Sequence, residues 1–159
     1  MKTIPALLLA ALALGAASRP VSAAPNLPTE KIETITGLKG KWFEEEGVFK
    51  LGRPRKDVPV AVEAMALDPF VGFSSWAAFM KGGKAEVMVM GDTVLFEDEV
   101  GLAMKAALDA GLNVTALHNH FLSEQPRVFY MHIEGEGTAE QLATALRKLF
   151  DASDAVRAK

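Results

Sequence analysis

The chain has 159 residues, half of them apolar, which is the size of one ordinary domain with enough apolar side chains for a core. Its formal net charge of −3 disfavours a nucleic-acid partner, which would need a basic face. Cysteine is absent, which excludes disulfides, thiolate metal ligands and the lipid-bearing cysteine of a lipoprotein. We therefore expect a single domain with no lipid anchor of its own.

The first segment has the pattern of a secretory signal peptide. Lys2 supplies a positive start, residues 4–17 form an apolar run too short to span a membrane, and residues 21–23 fit a small-residue cleavage site. An uncleaved anchor is disfavoured because Arg19 interrupts any longer apolar helix. Cleavage after Ala23 leaves 15 basic and 20 acidic residues, a net charge of −5. We expect the mature chain to be periplasmic or secreted.

The next segments predict the N-terminal part of the fold. Residues 24–40 predict an N-terminal arm or a first short helix, and residues 41–159 predict a single α+β domain. The stretches "WFEEEGVFKLGRPRK" and "VPVAVEAMALDP" look like two strands joined by a charged turn. The stretch "FVGFSSWAAFMKGGKA" holds an aromatic cluster between glycines, which favours a packed loop or a short strand. The cluster consists of Phe70, Phe73, Trp76 and Phe79.

The second half of the chain contains a weak strand–strand–helix repeat. "AEVMVMGDTVLFEDE" predicts a hairpin that turns at Gly91-Asp92, and the helix after it ends at Gly111. "VTALHNHFLSEQPRVFYMHIEGEG" predicts a second hairpin, and Thr138 and Gln141 have capping-box spacing at the start of a second helix. Two such units predict an antiparallel sheet with two helices on one face, which the N-terminal strands extend or cover.

All three histidines of the chain fall in the second hairpin, at His118, His120 and His132. Alternate side chains of a strand share a face, so His118 and His120 point the same way. A turn centred near Gln125 sets His132 opposite His118 and Tyr130 opposite His120, with Cβ atoms about 4.5–5.5 Å apart. The other face of the returning strand then packs beneath the helices through Phe129, Met131 and Ile133.

Three imidazoles on one face predict a transition-metal site, with zinc, copper or nickel as the ion. Glu124 is the expected fourth ligand because "HNHFLSE" has the spacing His-x-His-x-x-x-Glu. Tyr130 and Arg127 are expected to contact a bound ligand. The alternative is an ordinary half-exposed polar surface. The small apolar Val114 and Ala116 share the face and favour a lined pocket instead.

Four segments together resemble one known family. "GFSSWAAF", "VMGDTVLFEDEV", "ALDAGLNVTALHNHFLSEQPRVFYMHIEGEG" and the helix that follows are similar to the LppY/LpqO-homologue family of bacterial exported or lipoprotein domains of unknown function. The likeness runs from about Glu45 to the C-terminal helix. It implies a single domain in the cell envelope, and some members are linked to metal or chromate resistance. The family has no assigned reaction, and this chain lacks the lipid-bearing cysteine of its lipoprotein members.

Three hypotheses about function follow, and whether the protein is an enzyme stays open among them. The first is an exported protein that sequesters or senses a transition metal through its histidines. The second is an enzyme in which the same metal activates water or oxygen while Glu124 or Tyr130 moves a proton. The third is a non-metal module that binds a small cell-envelope ligand with the histidine face and the aromatics between Phe70 and Phe79.

Overall fold

The computed structural model describes residues 27–158, so the predicted signal peptide lies outside the described residues. The α-helices are α1 (Thr29–Thr36), α2 (Val100–Asp109) and α3 (Ala139–Arg157), and a short 3-10 helix covers Pro69–Val71. The strands are β1 (Gly40–Phe43), β2 (Val48–Pro54), β3 (Ala61–Val62), β4 (Met65–Ala66), β5 (Ser74–Lys81), β6 (Val87–Phe96), β7 (Asn113–His118), β8 (Glu124–Gln125) and β9 (Val128–Gly137). The predicted α+β class with extra N-terminal strands is confirmed. None of the helices within 27–158 has the length and apolar character needed to cross a membrane.

A six-stranded antiparallel sheet, in the order β1-β2-β5-β6-β9-β7, forms the centre of the molecule. The three helices cover one face of this sheet and share its main apolar core. Helix α3 begins with the predicted capping box between Thr138 and Gln141. Its apolar residues recur at helical spacing, so one stripe faces the sheet, and burial of each large side chain contributes about 1.5–3 kcal/mol. The buried stripe includes Leu142, Leu146, Leu149 and Phe150.

The opposite face of the sheet is only partly covered. A small three-stranded sheet, in the order β4-β3-β8, lies at one end, where a second core cluster contains Val60, Phe73, Val94, Phe96, Val128 and Tyr130. Beyond that cluster runs a row of directly paired residues, formed by Gly52, Trp76, Asp92, His132 and Ala116. We call the side of the sheet that carries this row the open face.

The predicted hairpin turn at Gly91-Asp92 is wrong, because β6 runs without interruption from Val87 to Phe96. Gly91 does not form a turn; it allows close packing between neighbouring strands. A Cβ atom at Gly91 would lie 2.7 Å from the backbone oxygen of Trp76 and 3.1 Å from a methyl carbon of Ile133. The strand therefore needs glycine where β5 approaches closely.

Other strand boundaries also differ from prediction. The stretch "WFEEEGVFKLGRPRK" is not one strand, because it contains most of the β1–β2 hairpin. The aromatic segment, for which the sequence predicts a packed loop or a short strand, contains the eight-residue strand β5, which pairs with both β2 and β6. The strand–strand–helix repeat is thus β5-β6-α2 followed by β7-β9-α3, with the first hairpin displaced by one strand.

The predicted register of the histidine hairpin is wrong by two residues. His118 pairs with Tyr130 and Ala116 pairs with His132, and the register shifts between Val114 and Ala116. No tight turn is centred on Gln125, because residues 119–127 form a longer connection that contains β8. A shift of two residues keeps Ala116, His118, His132 and Tyr130 on their predicted face. The prediction that Val114 shares this face is wrong, because the irregularity before Ala116 pairs Val114 with Ile133 and turns it to the helix side. Accordingly, Met131 and Ile133 lie in the helix-side core, whereas Phe129 is only half-buried.

Candidate functional site

The centre of the site is a pair of imidazoles on the open face. The Nε2 atoms of His118 and His132 lie 2.9 Å apart although the two residues are not directly paired in the sheet. Two neutral rings can hold this separation only if one Nε2 donates and the other accepts. The same separation also fits two Nε2 atoms that carry no proton and whose lone pairs both point at one bound cation. The prediction that these two rings share a face and meet is confirmed.

His120 lies just beyond the end of β7 and stacks on Tyr130, with ring centroids 3.4 Å apart. Its ring centroid is 5.1 Å from that of His118, so the three histidines and the tyrosine form one group. Partial burial lowers the pKa of His120, a change that the nearby Asp92 carboxylate opposes and the other two histidines reinforce. The predicted gathering of the histidines and Tyr130 on one face is therefore observed.

The hydroxyl of Tyr130 has a structural partner. It donates a hydrogen bond of 2.9 Å to the carbonyl oxygen of Gly72, which ties β9 to the end of the short 3-10 helix. Burial, together with the carboxylates of Asp92 and Glu124, raises the pKa of Tyr130 to about 12. The phenol therefore stays protonated at neutral pH, which disfavours Tyr130 as a general base.

Asp92 is the residue that sequence reasoning missed. It pairs directly with His132 across β6 and β9, so its side chain stands next to the imidazole pair on the open face. Its Oδ1 atom is buried and has no hydrogen-bond partner among residues 27–158. A buried carboxylate oxygen without a partner is costly and marks a place where a cation or a ligand group fits. One signal in the sequence could have placed Asp92 correctly. Val87, Val89 and Thr93 alternate with residues of the other face, which is the pattern of one continuous strand through Asp92.

Glu124, the predicted fourth ligand, lies in β8 with a fully buried side chain. Its Oε1 accepts a hydrogen bond of 3.2 Å from the backbone N–H of Val128, while its Oε2 is buried and unpartnered within the described chain. Asn119, which lies between His118 and His120, donates to the carbonyl oxygen of Val128 at 2.7 Å. Both side chains thus hold the end of the histidine hairpin together.

Arg127 lies away from the imidazole pair. Its Nε is 3.8 Å from Oε1 of Glu124, and the side chain lines a separate cavity of about 400 Å³ together with Arg157. This placement disfavours a direct contact between Arg127 and a ligand on the histidine face.

A cleft of about 800 Å³ adjoins the histidines on the open face. The cleft reaches the histidine group through Asp92, His120 and Tyr130 and extends across β5 and β2 to β1. Its volume is within the range of small-molecule sites, about 300–1,000 Å³. Apart from Ser74 and Ser75, the other side chains along its walls are apolar, aromatic or basic, and include Lys41, Phe43, Lys50, Pro54, Phe70 and Trp76.

The ligand-type side chains are incompletely arranged for a metal. Across residues 27–158, no three histidine, aspartate or glutamate side chains already have the spacing of a metal site. His118 and His132 supply two nitrogens at the spacing of adjacent ligands. A third donor would come by side-chain rotation, and Asp92 and His120 are placed for it.

Comparison with known proteins places the chain in a family. A family model described as Domain of Unknown Function (DUF1259) matches residues 30–152, which span every described strand and most of α3. The chain belongs to this family. Neither the comparison with curated proteins nor the comparison with solved structures returned a match. The family match bears on the whole domain and assigns no chemistry to the histidines.

Proposed function

We propose that this protein is an exported transition-metal-binding protein of the LppY/LpqO-homologue type, with His118 and His132 as its central ligands. The observation that carries the proposal is the 2.9 Å separation of the two Nε2 atoms. With nitrogen–metal distances of about 2.0–2.1 Å, this separation corresponds to an angle of about 90° at the ion. Square-planar and octahedral sites have that angle, which favours copper or nickel. Tetrahedral zinc requires the nitrogens to move apart by about 0.4 Å.

Three further residues are candidates to complete the coordination. Asp92 is favoured because it pairs with His132 in the sheet and brings a buried oxygen that has no partner within the described part of the chain. His120 lies beside His118 but would have to leave its stack on Tyr130. Glu124 can offer only Oε2, because the backbone of Val128 occupies Oε1. A carboxylate beside two imidazoles is also a common donor set for transition metals.

Two parts of this proposal rest on the sequence alone: that the protein is exported, and that it is of the LppY/LpqO-homologue type. The pattern of residues 1–23 supports a cleaved signal peptide and hence a periplasmic or secreted protein. Histidine and carboxylate ligands suit such a compartment because, unlike thiolates, they do not oxidise there.

The test is the metal content of protein purified without a histidine tag. Metal-free protein titrated separately with copper, nickel and zinc is expected to bind about one ion per chain, measured by calorimetry and elemental analysis. His118→Ala and His132→Ala are each expected to weaken binding about 100-fold or more, because each removes one of two central ligands. The copper-loaded wild type should show two coordinated imidazole nitrogens by electron paramagnetic resonance.

The matched control is Glu134→Gln, which changes a carboxylate on the same strand and the same face one row further along. This variant should bind metal like the wild type, and circular dichroism should show the same fold in all variants. Full stoichiometry and unchanged affinity in both histidine variants would overturn the proposal.

A further inference from the structure

The far end of the cleft carries an unusual pair of basic residues. Lys41 and Lys50 are directly paired across β1 and β2, and both line the cleft on the open face. Like charges placed directly opposite each other in a sheet are destabilising. No ion pair within residues 27–158 involves either lysine. An anion between the two ammonium groups would relieve their repulsion and accept hydrogen bonds from both.

The walls beside this pair are aromatic and incompletely covered. The Nζ of Lys50 lies 4.1 Å from the ring centroid of Trp76, so a cationic group and an aromatic face lie side by side at the cleft wall. Phe70 is 82% exposed and Phe43 is 37% exposed, although both are large apolar side chains that normally pack against something. A flat apolar group lying in the cleft would cover both rings.

The floor of the cleft is open because of a glycine. Gly52 pairs with Trp76, and a Cβ atom built on Gly52 would meet nothing within 4 Å. The backbone of Gly52 does not have a positive φ, so a larger residue can replace it without strain. Strand β2 therefore has a side-chain-sized space where a ligand can lie.

We infer that the cleft binds a small organic anion with a flat apolar ring, its anionic group on Lys41 and Lys50 and its ring between Phe70 and Trp76. Asp92 on β6 is two strand spacings from Lys50 on β2, about 10 Å across the sheet, so a ligand of that length would extend from the lysines to Asp92 at the edge of the histidine group. The inference goes beyond the proposed metal site and does not depend on a bound metal.

The experiment uses two fluorescent probes on the full protein after treatment with a chelator. Anilinonaphthalene sulfonate is an aromatic anion with a flat naphthalene ring, and N-phenylnaphthylamine is its uncharged counterpart. The wild type is expected to bind the anion saturably at one site and about tenfold more tightly than the neutral dye. Lys41→Gln combined with Lys50→Gln should weaken the anion about tenfold and change binding of the neutral dye by less than about twofold.

Gly52→Leu fills the cleft and should weaken both dyes by at least about tenfold. The control for this variant is Gly101→Leu, where an added Cβ also meets nothing within 4 Å but the residue lies on the exposed side of α2. The control for the lysines is Lys105→Gln, whose ammonium pairs with Asp109 on the same helix. Both controls should bind the dyes like the wild type.

Each outcome decides one part of the inference. Equal affinity for the two dyes, or an unchanged anion affinity in the double lysine variant, would refute the anion site. Undiminished binding in Gly52→Leu would show that the dyes bind elsewhere and refute the cleft as the ligand site. Because the protein is metal-free throughout, failure of the metal proposal would leave these results unaffected, and the reverse also holds.

Discussion

Two polar clusters border strand β6, and they differ in how completely their hydrogen-bonding groups are paired. At the C-terminal end of β6, Glu99 has no exposed surface and accepts hydrogen bonds at both carboxylate oxygens. In the middle of β6, Asp92 keeps a buried oxygen without a partner in the described chain. The first cluster therefore stabilises the fold. The second contains a buried oxygen whose hydrogen-bonding capacity no described group uses, which is typical of a functional site.

The saturated cluster connects three distant parts of the chain. Arg55 donates two hydrogen bonds of 2.8 and 2.9 Å to Glu99, and Arg157 at the end of α3 donates one of 2.8 Å. Arg55 also bonds to Asp57 and to the carbonyl oxygen of Val94. The guanidinium groups of Arg55 and Arg157 also lie 4.7 and 4.9 Å from the ring centroid of the Phe96 side chain. The cluster thus holds the C-terminus of α3 and the segment after β2 to the end of β6.

The largest expected effect comes from breaking the saturated cluster. Glu99→Gln removes the charge that neutralises the buried Arg55, and we expect it to lower the free energy of unfolding by about 3–5 kcal/mol. Urea denaturation followed by circular dichroism measures this change. Asp57→Asn is the control, because that partner of Arg55 is 42% exposed and its loss should cost about 1 kcal/mol or less. A loss below about 1 kcal/mol in Glu99→Gln would contradict the structural role.

A smaller effect is expected from pH. Burial alone would raise the pKa of Glu99, but hydrogen bonds from Arg55, Arg157 and the backbone N–H of Phe96 outweigh it and lower the pKa below its usual value. A carboxylate whose pKa is lowered in the folded state stabilises the fold above its unfolded pKa, about 4.3 for glutamate. That contribution is lost as the pH falls through the folded pKa.

Denaturation curves between pH 7 and pH 3 measure this dependence. The wild type should lose stability below about pH 4.3, and the free-energy profile of Glu99→Gln should be flatter over the same range. Parallel profiles for the two proteins would mean that Glu99 does not carry the acid sensitivity.

The smallest effect on stability is expected at the unsaturated cluster. Asp92→Asn removes the charge of a half-buried carboxylate whose Oδ1 has no partner in the described chain, so the free energy of unfolding should change by less than about 1 kcal/mol or rise. The same variant should weaken metal binding about tenfold or more if Asp92 completes the coordination. A loss of stability comparable to that of Glu99→Gln would place Asp92 among the structural groups and remove the contrast between the clusters.

Sequence reasoning predicted the site better than the sheet that carries it. The faces of His118, His132 and Tyr130 were correct although the register was wrong by two residues, because only an odd shift changes the face of a side chain. The length of the connection after β7 could not be predicted from the sequence, because it depends on the pairing of β8 with β3, which lies far earlier in the chain. Asp92 was misplaced because Gly-Asp between apolar runs is a strong hairpin signal.

The sequence by itself determined the properties that depend on local periodicity and composition. These are the α+β class, the capping box of α3, the helix-side burial of Met131 and Ile133, and the shared face of the histidines. Only the tertiary structure decided which distant residues meet. The pairing of Asp92 with His132 and the contact of Glu99 with both arginines each join segments whose pairing no local pattern specifies. Such contacts arise from packing of the whole sheet, which depends on many strands at once and on close approach at positions such as Gly91.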